Sequence, residues 1–337
     1  MWQYLLYGLA LQSNQPIPGL VNEATATPAA IGVRIWFAEM PPALTAAAAQ
    51  TGRVWQENAG WNDHGHPAAR HRDEAQQRYF RMVFSDGVEF IINRNGRELG
   101  VTWPAQSSVE DAATYLVGPI MAVILALQQI TCLHASAVAI GEGAVALLGP
   151  SGSGKSTTAA VFARLGYPVL ADDLVPLRQR QHRFWAQSGY PGLRLWSDTV
   201  SALFGSAEAL PLLTPTWDKR YLALTAPAYK FHREELPLTA IYFLDERNPG
   251  ATAAVQPLAP RAGLLALLAN SYVTQDLDPQ QRPREFELLS RVAWHVPLRR
   301  VQPPDDPAHL PELCAAIVRD AGACRAHATP APLPSHV

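Results

Sequence analysis

The sequence predicts an α/β protein in which a phosphate-binding α/β unit follows a β-rich N-terminal region. Three observations carry that expectation. The apolar run Ala144–Leu148 leads into a glycine loop and then a helical pattern. From about residue 130 to 300, short β-like runs alternate with helical stretches. The first hundred residues show only short apolar segments cut by turn formers.

Taken in order, Tyr4–Leu9 reads as a strand and Pro16-Ile17-Pro18-Gly19 as a turn. Ile31–Phe37 and Arg53–Gln56 read as short strands, and the Ala-rich Pro41–Gln50 fits either helix or strand. Asn62–Glu74 is polar and aperiodic; its His64 and His66, with His71, lack flanking ligands at a metal-binding spacing. Tyr79–Phe84, Gly87–Asn93 and Leu99–Trp103 are strands joined by turns such as Asn95-Gly96. Ser107-Ser108-Val109-Glu110 marks a helix start, and the apolar segment to Gln128 reads as a buried helix, its Ala112–Leu127 run being short for a bilayer. Leu133–Ile140 and Ala144–Leu148 are strands, about Lys155–Leu165 a helix, and Tyr167–Ala171 a strand ending in Asp172-Asp173. Ala240–Leu244 is a further strand, Ala262–Asn270 and Phe286–Trp294 are helices, and Pro307–Ala321 closes the fold before a frayed tail. The expected division is 1–106 as the β-rich region, 107–325 as the α/β domain and 326–337 as a flexible tail.

Composition narrows the function. The chain has 337 residues, 48% hydrophobic and 17% charged, which is globular composition with length for one large or two modest domains. Lys plus Arg number 27 against 29 Asp plus Glu, so no global field recruits nucleic acid or an anionic membrane. Three cysteines, Cys132, Cys314 and Cys324, make no disulfide framework and no CxxC zinc pair. With no basic stretch ahead of the apolar N-terminal residues, a cytoplasmic protein is expected.

Gly149-Pro150-Ser151-Gly152-Ser153-Gly154-Lys155-Ser156 satisfies GxxxxGK[ST] at each fixed position, and Thr157 extends the binding segment. Glycines let successive N–H groups face phosphate oxygens, the helix that follows adds its positive end, Lys155 reaches the β/γ-phosphates and Ser156 offers a hydroxyl to Mg²⁺. A plain strand-to-helix turn would not require Lys and Ser at those positions. Asp172-Asp173 ends the next strand, where open α/β sheets place ligands. Two adjacent carboxylates there suit a division of labour, one of Asp172 and Asp173 accepting a hydroxyl proton and the other holding the metal or its waters. His134, at the head of the strand run before the loop, reads by itself as a structural histidine.

The stretch Leu133-His134-Ala135-Ser136-Ala137-Val138, then GPSGSGKS, then Val169-Leu170-Ala171-Asp172-Asp173 resembles the core of the HPr serine kinase/phosphorylase superfamily, over about residues 130–180. More narrowly, the chain resembles serine kinases associated with lasso-peptide biosynthesis. Tyr7-Gly8-Leu9, Pro16-Ile17-Pro18, Tyr190–Trp196 and Asp218–Leu222 carry that likeness. The resemblance implies a P-loop kinase domain of HPr-kinase type that uses ATP and Mg²⁺ and acts on a peptide or small protein with an acceptor serine, for the lasso type a C-terminal one. It implies Asp172 as base, Lys155 on the phosphates, Ser156 on Mg²⁺ and His134 at the site. It also implies a homo-oligomer, and the β-rich region suits peptide binding. Two departures stand out: Gln187–Gly192 has no counterpart of the family's second metal-binding glutamate, and the basic loop tied to the reverse reaction is not recognisable. Lys219 and Arg220 suit either phosphate neutralisation, the docking of an acidic peptide, or plain surface charge.

Two other classes compete. GPSGSGKST with Ile241–Glu246 also imitates a transporter-type ATPase, but no LSGGQ-like signature lies between Leu165 and Ile241. A bare turn into Arg247-Asn248-Pro249-Gly250 explains Asp245-Glu246 as well. A nucleotide-binding regulator without turnover is the third reading, and intact Lys155, Ser156 and Asp172 weigh against it.

Overall fold

The computed structural model describes residues 1–22, 31–50, 69–72, 79–247, 253–272, 281–304 and 306–327. The strand expected at Arg53–Gln56 and the histidines His64 and His66 lie outside these residues, and of His71 only the backbone is described.

The chain opens with a hairpin, β1 (Trp2–Leu6) and β2 (Leu9–Ser13). The run expected as one strand is broken at Tyr7 and Gly8, which take φ of 56° and 74°. Two successive positive φ values give the tight turn that matches strand twist, and Gly8 supplies one at no steric cost. β3 (Val33–Phe37), helix α1 (Pro42–Gln50), β4 (Ala69–Arg72), β5 (Tyr79–Val83), β6 (Glu89–Asn93) and β7 (Glu98–Thr102) follow. They form a seven-stranded sheet in the order β1-β2-β3-β7-β6-β5-β4, parallel at β2/β3 and β3/β7.

The apolar segment after Ser108 is helical as expected, but not uniformly so. α2 (Val109–Tyr115) and α3 (Met121–Leu127) flank a π-helical turn, Leu116–Ile120, which contains Pro119. Proline removes one helical hydrogen bond and clashes with the preceding turn, so the backbone widens there, with Gly118 leaving helical geometry altogether (φ −109°, ψ −108°). The 19-residue span is long and apolar enough to cross a membrane, yet 83% of its most apolar window is buried inside the protein. Leu116, Ile120 and Ile124 share a core with Ile35, Phe90 and Leu99, so this helix packs on the N-terminal sheet. Its start is a capping box: Ser108 Oγ accepts from the Asp111 N–H (3.1 Å) and the Asp111 carboxylate accepts from the Ser108 N–H (2.8 Å). Ser108→Ala should therefore cost about 1 kcal/mol of stability in a denaturant titration.

The remaining strands are β8 (Cys132–His134), β9 (Ser136–Ile140), β10 (Gly143–Leu148), β11 (Val169–Ala171), β12 (Leu174–Arg180), β13 (Arg183–Ala186), β14 (Gly192–Trp196), β15 (Lys219–Ala223), β16 (Leu236–Leu244), β17 (Ala254–Pro257) and β18 (Leu298–Gln302). Helices α4 (Lys155–Arg164), α5 (Ser197–Phe204), α6 (Pro260–Ala269), α7 (Gln281–His295) and α8 (Leu310–His327) intervene. Nine strands make the second sheet, in the order β11-β9-β10-β16-β13-β12-β8 with β18 on β16 and β17 on β18; β14 and β15 form a separate hairpin. α8 continues to His327, so the helix takes in the first residues of the expected tail; residues 328–337 lie outside the description.

β10 is buried on both faces, which is why its sequence is an unbroken apolar run. Val145 and Leu147 pack with Phe162 of α4 and Leu313 and Ile317 of α8. Ala144 and Ala146 pack with Leu267 of α6 and Leu289 and Val292 of α7. The sheet is thus a central layer between helices.

One break positions the site. The single strand expected over Leu133–Ile140 is two, because β8 pairs with β12 whereas β9 pairs with β10 and β11. The change of partners falls at Ala135, opposite the break between β11 and β12 at Asp172-Asp173. Asp173 takes φ of 69° there, a conformation a residue with a Cβ adopts at a cost. Two strand pairs part company at one point, and the two carboxylates emerge from it beside His134.

Candidate functional site

The glycine loop lies between β10 and α4, as the sequence predicts. Gly149, Gly152 and Gly154 have φ of 149°, 81° and 95°. A Cβ on Gly149 would come within 2.6 Å of the Leu244 carbonyl oxygen, so that close approach requires glycine. The first-turn N–H groups of α4 have no helical partner, which leaves them for a ligand. Ser153 Oγ is buried and, among the described residues, without a hydrogen-bond partner. Such an orphaned donor inside a glycine cradle fits a phosphate chain. Lys155 Nζ donates to the Gly149 and Pro150 carbonyls (2.8 and 3.2 Å), folded back over its own loop. Burial pushes its pKa down, and the charges of Asp173 and Asp172 only partly offset that. Pro150, Ser151 and Gly152 are exposed at the loop's tip, and Thr157 is buried in α4.

Asp172 and Asp173 point to different partners. Asp172 is buried, and its Oδ1 accepts from Ser136 Oγ (2.6 Å) and Ser156 Oγ (2.9 Å). Burial raises its pKa beyond what these hydrogen bonds restore. Asp173 Oδ1 is 3.1 Å from His134 Nδ1. That contact is at ion-pairing distance but off the ideal hydrogen-bond direction, and it becomes an ion pair when the imidazole carries its second proton. Burial pushes the Asp173 carboxyl up, but His134, Arg194 and Lys219 outweigh it and hold the group well below the usual carboxylate range. One carboxylate is thus inclined to take a proton and its neighbour is a fixed negative charge.

The structure therefore brings Ser156 and Asp172 together, and His134 and Asp173. It separates Lys219 from Arg220: Lys219 acts electrostatically on Asp173, whereas Arg220 Nε donates to Ser197 Oγ (3.2 Å). Asp245 is paired with Arg300 (2.6 Å), so the Asp-Glu end of β16 is an ion-paired strand terminus. Gln187 donates to Glu235 (2.5 Å), which is itself paired with Arg180.

Several residues at the site were given no role by the sequence. Ser136 shares the Asp172 oxygen with Ser156. Asn270 Oδ1 accepts from the Gly149 N–H (3.2 Å) while its carbonyl accepts from the His134 N–H (2.8 Å), tying loop and histidine to one residue. The Arg247 guanidinium lies 3.4 Å from where a Cβ on Gly154 would sit. Arg194 stands beside Asp173 across Gly118. Tyr7, in the hairpin turn, donates to the Val117 carbonyl (2.8 Å) and packs against Gly189. Distant stretches of chain meet here, and only the fold reveals it.

Among the described residues no group of three or more His, Cys, Asp or Glu gathers as a metal cluster. A magnesium ion keeps several waters and binds through one or two protein oxygens plus substrate phosphates. Ser156 Oγ and the adjoining aspartates fit that requirement.

No family model matches the sequence, and no curated protein matches it. Among solved structures, the chain is similar to the HPr(Ser) kinase/phosphatase from Coxiella burnetii, at 11% identity and a TM-score of 0.32, over 58% of this chain and 98% of that one. At that TM-score the likeness carries no functional weight; the residues of the site do.

Proposed function

We propose that the protein is an ATP-dependent kinase that transfers the γ-phosphoryl group to a serine hydroxyl of a peptide or small protein. The observation that carries this reading is the 2.9 Å hydrogen bond from Ser156, at the loop helix, to the buried Asp172. It sets a carboxylate of raised pKa beside the point where the phosphates end. Asp172 accepts the acceptor's proton, with Ser136 fixing the carboxylate orientation. Lys155 leaves the Gly149 and Pro150 carbonyls to reach the phosphates. Asp173, kept ionised by His134, holds the local field and offers an oxygen toward the metal. A bound Mg²⁺ supplies charge neutralisation on the phosphates. Phosphoryl transfer needs little more of the protein than this positioning and charge.

More finely, the acceptor is the C-terminal serine of a lasso-type precursor peptide, held in part by the N-terminal region. That refinement rests on the sequence resemblance. A cytoplasmic location and self-association are proposed on the same footing.

ADP release measured with and without a serine-ended peptide tests the reaction: a kinase releases ADP in step with phosphopeptide, and peptide-independent release favours an ATPase. The acid limb of the rate should lie above the ordinary Asp value of 3.8, because burial raises the base. A pH–rate profile checks this: the rate falls as Asp172 gains its proton, and a limb at or below 3.8 would remove Asp172 as the titrating group.

A further inference from the structure

Two cations, Arg194 and Lys219, share the charge of Asp173 with His134. Arg194 and Trp196 lie on β14, Lys219 and Tyr221 opposite them on β15, in the register Arg194↔Tyr221 and Trp196↔Lys219. Alternation along an antiparallel pair places all four on one face. Lys219 Nζ is 4.5 Å from the Trp196 ring centroid, and Arg194 Cζ is 5.7 Å from that of Tyr190. Each cation is therefore seated on an aromatic face. Arg194 Nη2 also donates to the Thr114 carbonyl (3.2 Å), anchoring it to the helix just before the π turn. A Cβ on Gly118 would lie 3.1 Å from Arg194 Nη1 and 3.5 Å from Asp173 Oδ2, so glycine at that turn lets the guanidinium face the carboxylate.

Neither cation has a carboxylate within ion-pairing distance among the described residues, and Asp173 is already paired with His134. Burial lowers the Lys219 pKa, Asp173 opposes this, and Arg194 adds repulsion. Two partly desolvated like charges that share one carboxylate, itself engaged by His134, leave positive charge uncompensated, which is costly. An anionic ligand group removes that cost, and the planar Arg fork matches a carboxylate in particular.

We infer that Arg194 and Lys219 form a carboxylate subsite on the acceptor side, selecting a serine that has a carboxylate within about one residue of its hydroxyl. This rests on the kinase reading above. The donor phosphates have their own cation in Lys155, whose side-chain hydrogen bonds among the described residues are to the loop. Arg194 and Lys219 instead rise from a different hairpin and act on Asp173, whereas Ser156 donates to Asp172. The carboxylate has two sources, the chain terminus of a C-terminal serine or an adjacent acidic side chain.

The test compares kcat/KM of the full-length protein for four otherwise identical peptides: serine-terminated with a free acid, serine-terminated as the amide, internal Ser-Asp and internal Ser-Asn. The acid member of at least one pair should be favoured by on the order of 10-fold or more, as for a charged hydrogen bond lost or made, chiefly through KM. The favoured pair identifies the source. In Lys219→Gln that ratio should collapse toward one, while Lys219→Arg retains most of it. Among the described residues the Lys219 ammonium makes no hydrogen bond, and the Lys219 carbonyl, which accepts from the Leu213 N–H (2.7 Å), is kept in the variant, so the ratio reads recognition rather than folding. Equal rates within both pairs, or a ratio that survives Lys219→Gln, would overturn the subsite. A weakened ATP Kd in Lys219→Gln with the ratio intact would reassign the cations to the nucleotide. A panel with no phosphorylated member overturns the kinase reading and the subsite together.

Discussion

Lys155→Ala should lower phosphoryl transfer by on the order of 10²–10³ or more, the worth of one preorganised electrostatic group in a dry site, and weaken nucleotide binding with it. Lys155 is the buried cation of the loop, and its ammonium donates to the Gly149 and Pro150 carbonyls. Removing it takes away positive charge where the phosphates would gather negative charge, and it leaves those two carbonyls without their donor. Equilibrium binding of a fluorescent ATP analogue together with single-turnover transfer separates the two effects. Unchanged transfer would take the loop out of the mechanism.

Asp172→Asn should behave differently. Nucleotide binding persists, because the loop and Lys155 are untouched, while transfer falls by on the order of 10²–10⁴, the usual contribution of a general base. The amide keeps an oxygen to accept from Ser136 and Ser156, so the local hydrogen bonds survive. Stability follows with an opposite sign. The folded-state pKa of Asp172 is raised above its unfolded value of 3.8, mainly by burial. Below both values the group is protonated in either state and contributes nothing. As pH rises past 3.8 the unfolded chain releases the proton more readily, so ionised Asp172 opposes folding. At neutral pH the variant should therefore melt no lower than the parent. A variant that loses transfer and also melts well below the parent would mark Asp172 as structural, and a variant with parental transfer would reject it as base.

The loop and its helix were legible because the chemistry is local: each residue type sits at a fixed offset, and β10 and α4 form where the apolar run and the helix pattern predict. The Ser108 helix start was legible for the same reason. What escaped depends on chain crossing chain. Tyr4–Leu9 reads as one strand until Tyr7 and Gly8 are seen to reverse direction. Leu133–Ile140 reads as one strand because its residues are apolar throughout, and only the exchange of partners between β12 and β10 reveals the break. In the sequence, adjacency suggests a division of roles between Asp172 and Asp173, and only the family resemblance assigns the base to Asp172. Burial pushes both carboxyls up; the Ser136 and Ser156 hydrogen bonds offset this only in part at Asp172, whereas His134, Arg194 and Lys219 outweigh it at Asp173. Asn270, 121 positions from the glycine it holds, has no local pattern at all.

The N-terminal sheet also bears on the site more closely than its position in sequence suggests. Tyr7 reaches the π turn through the Val117 carbonyl. Asp111, inside the same capped helix, accepts from Thr216 Oγ1 (2.6 Å), three residues before Lys219. The helix over 109–127 thus touches the N-terminal sheet, the cationic hairpin and Asp173 at Gly118.

The most direct measurement is mass spectrometry of serine-ended peptides and a folded carrier protein after incubation with the purified protein, ATP and Mg²⁺. The account predicts a gain of one phosphoryl group on a serine of an acceptor, absent with Asp172→Asn. ADP formed at the same rate with no phosphorylated acceptor, and unaffected by Asp172→Asn, would contradict it.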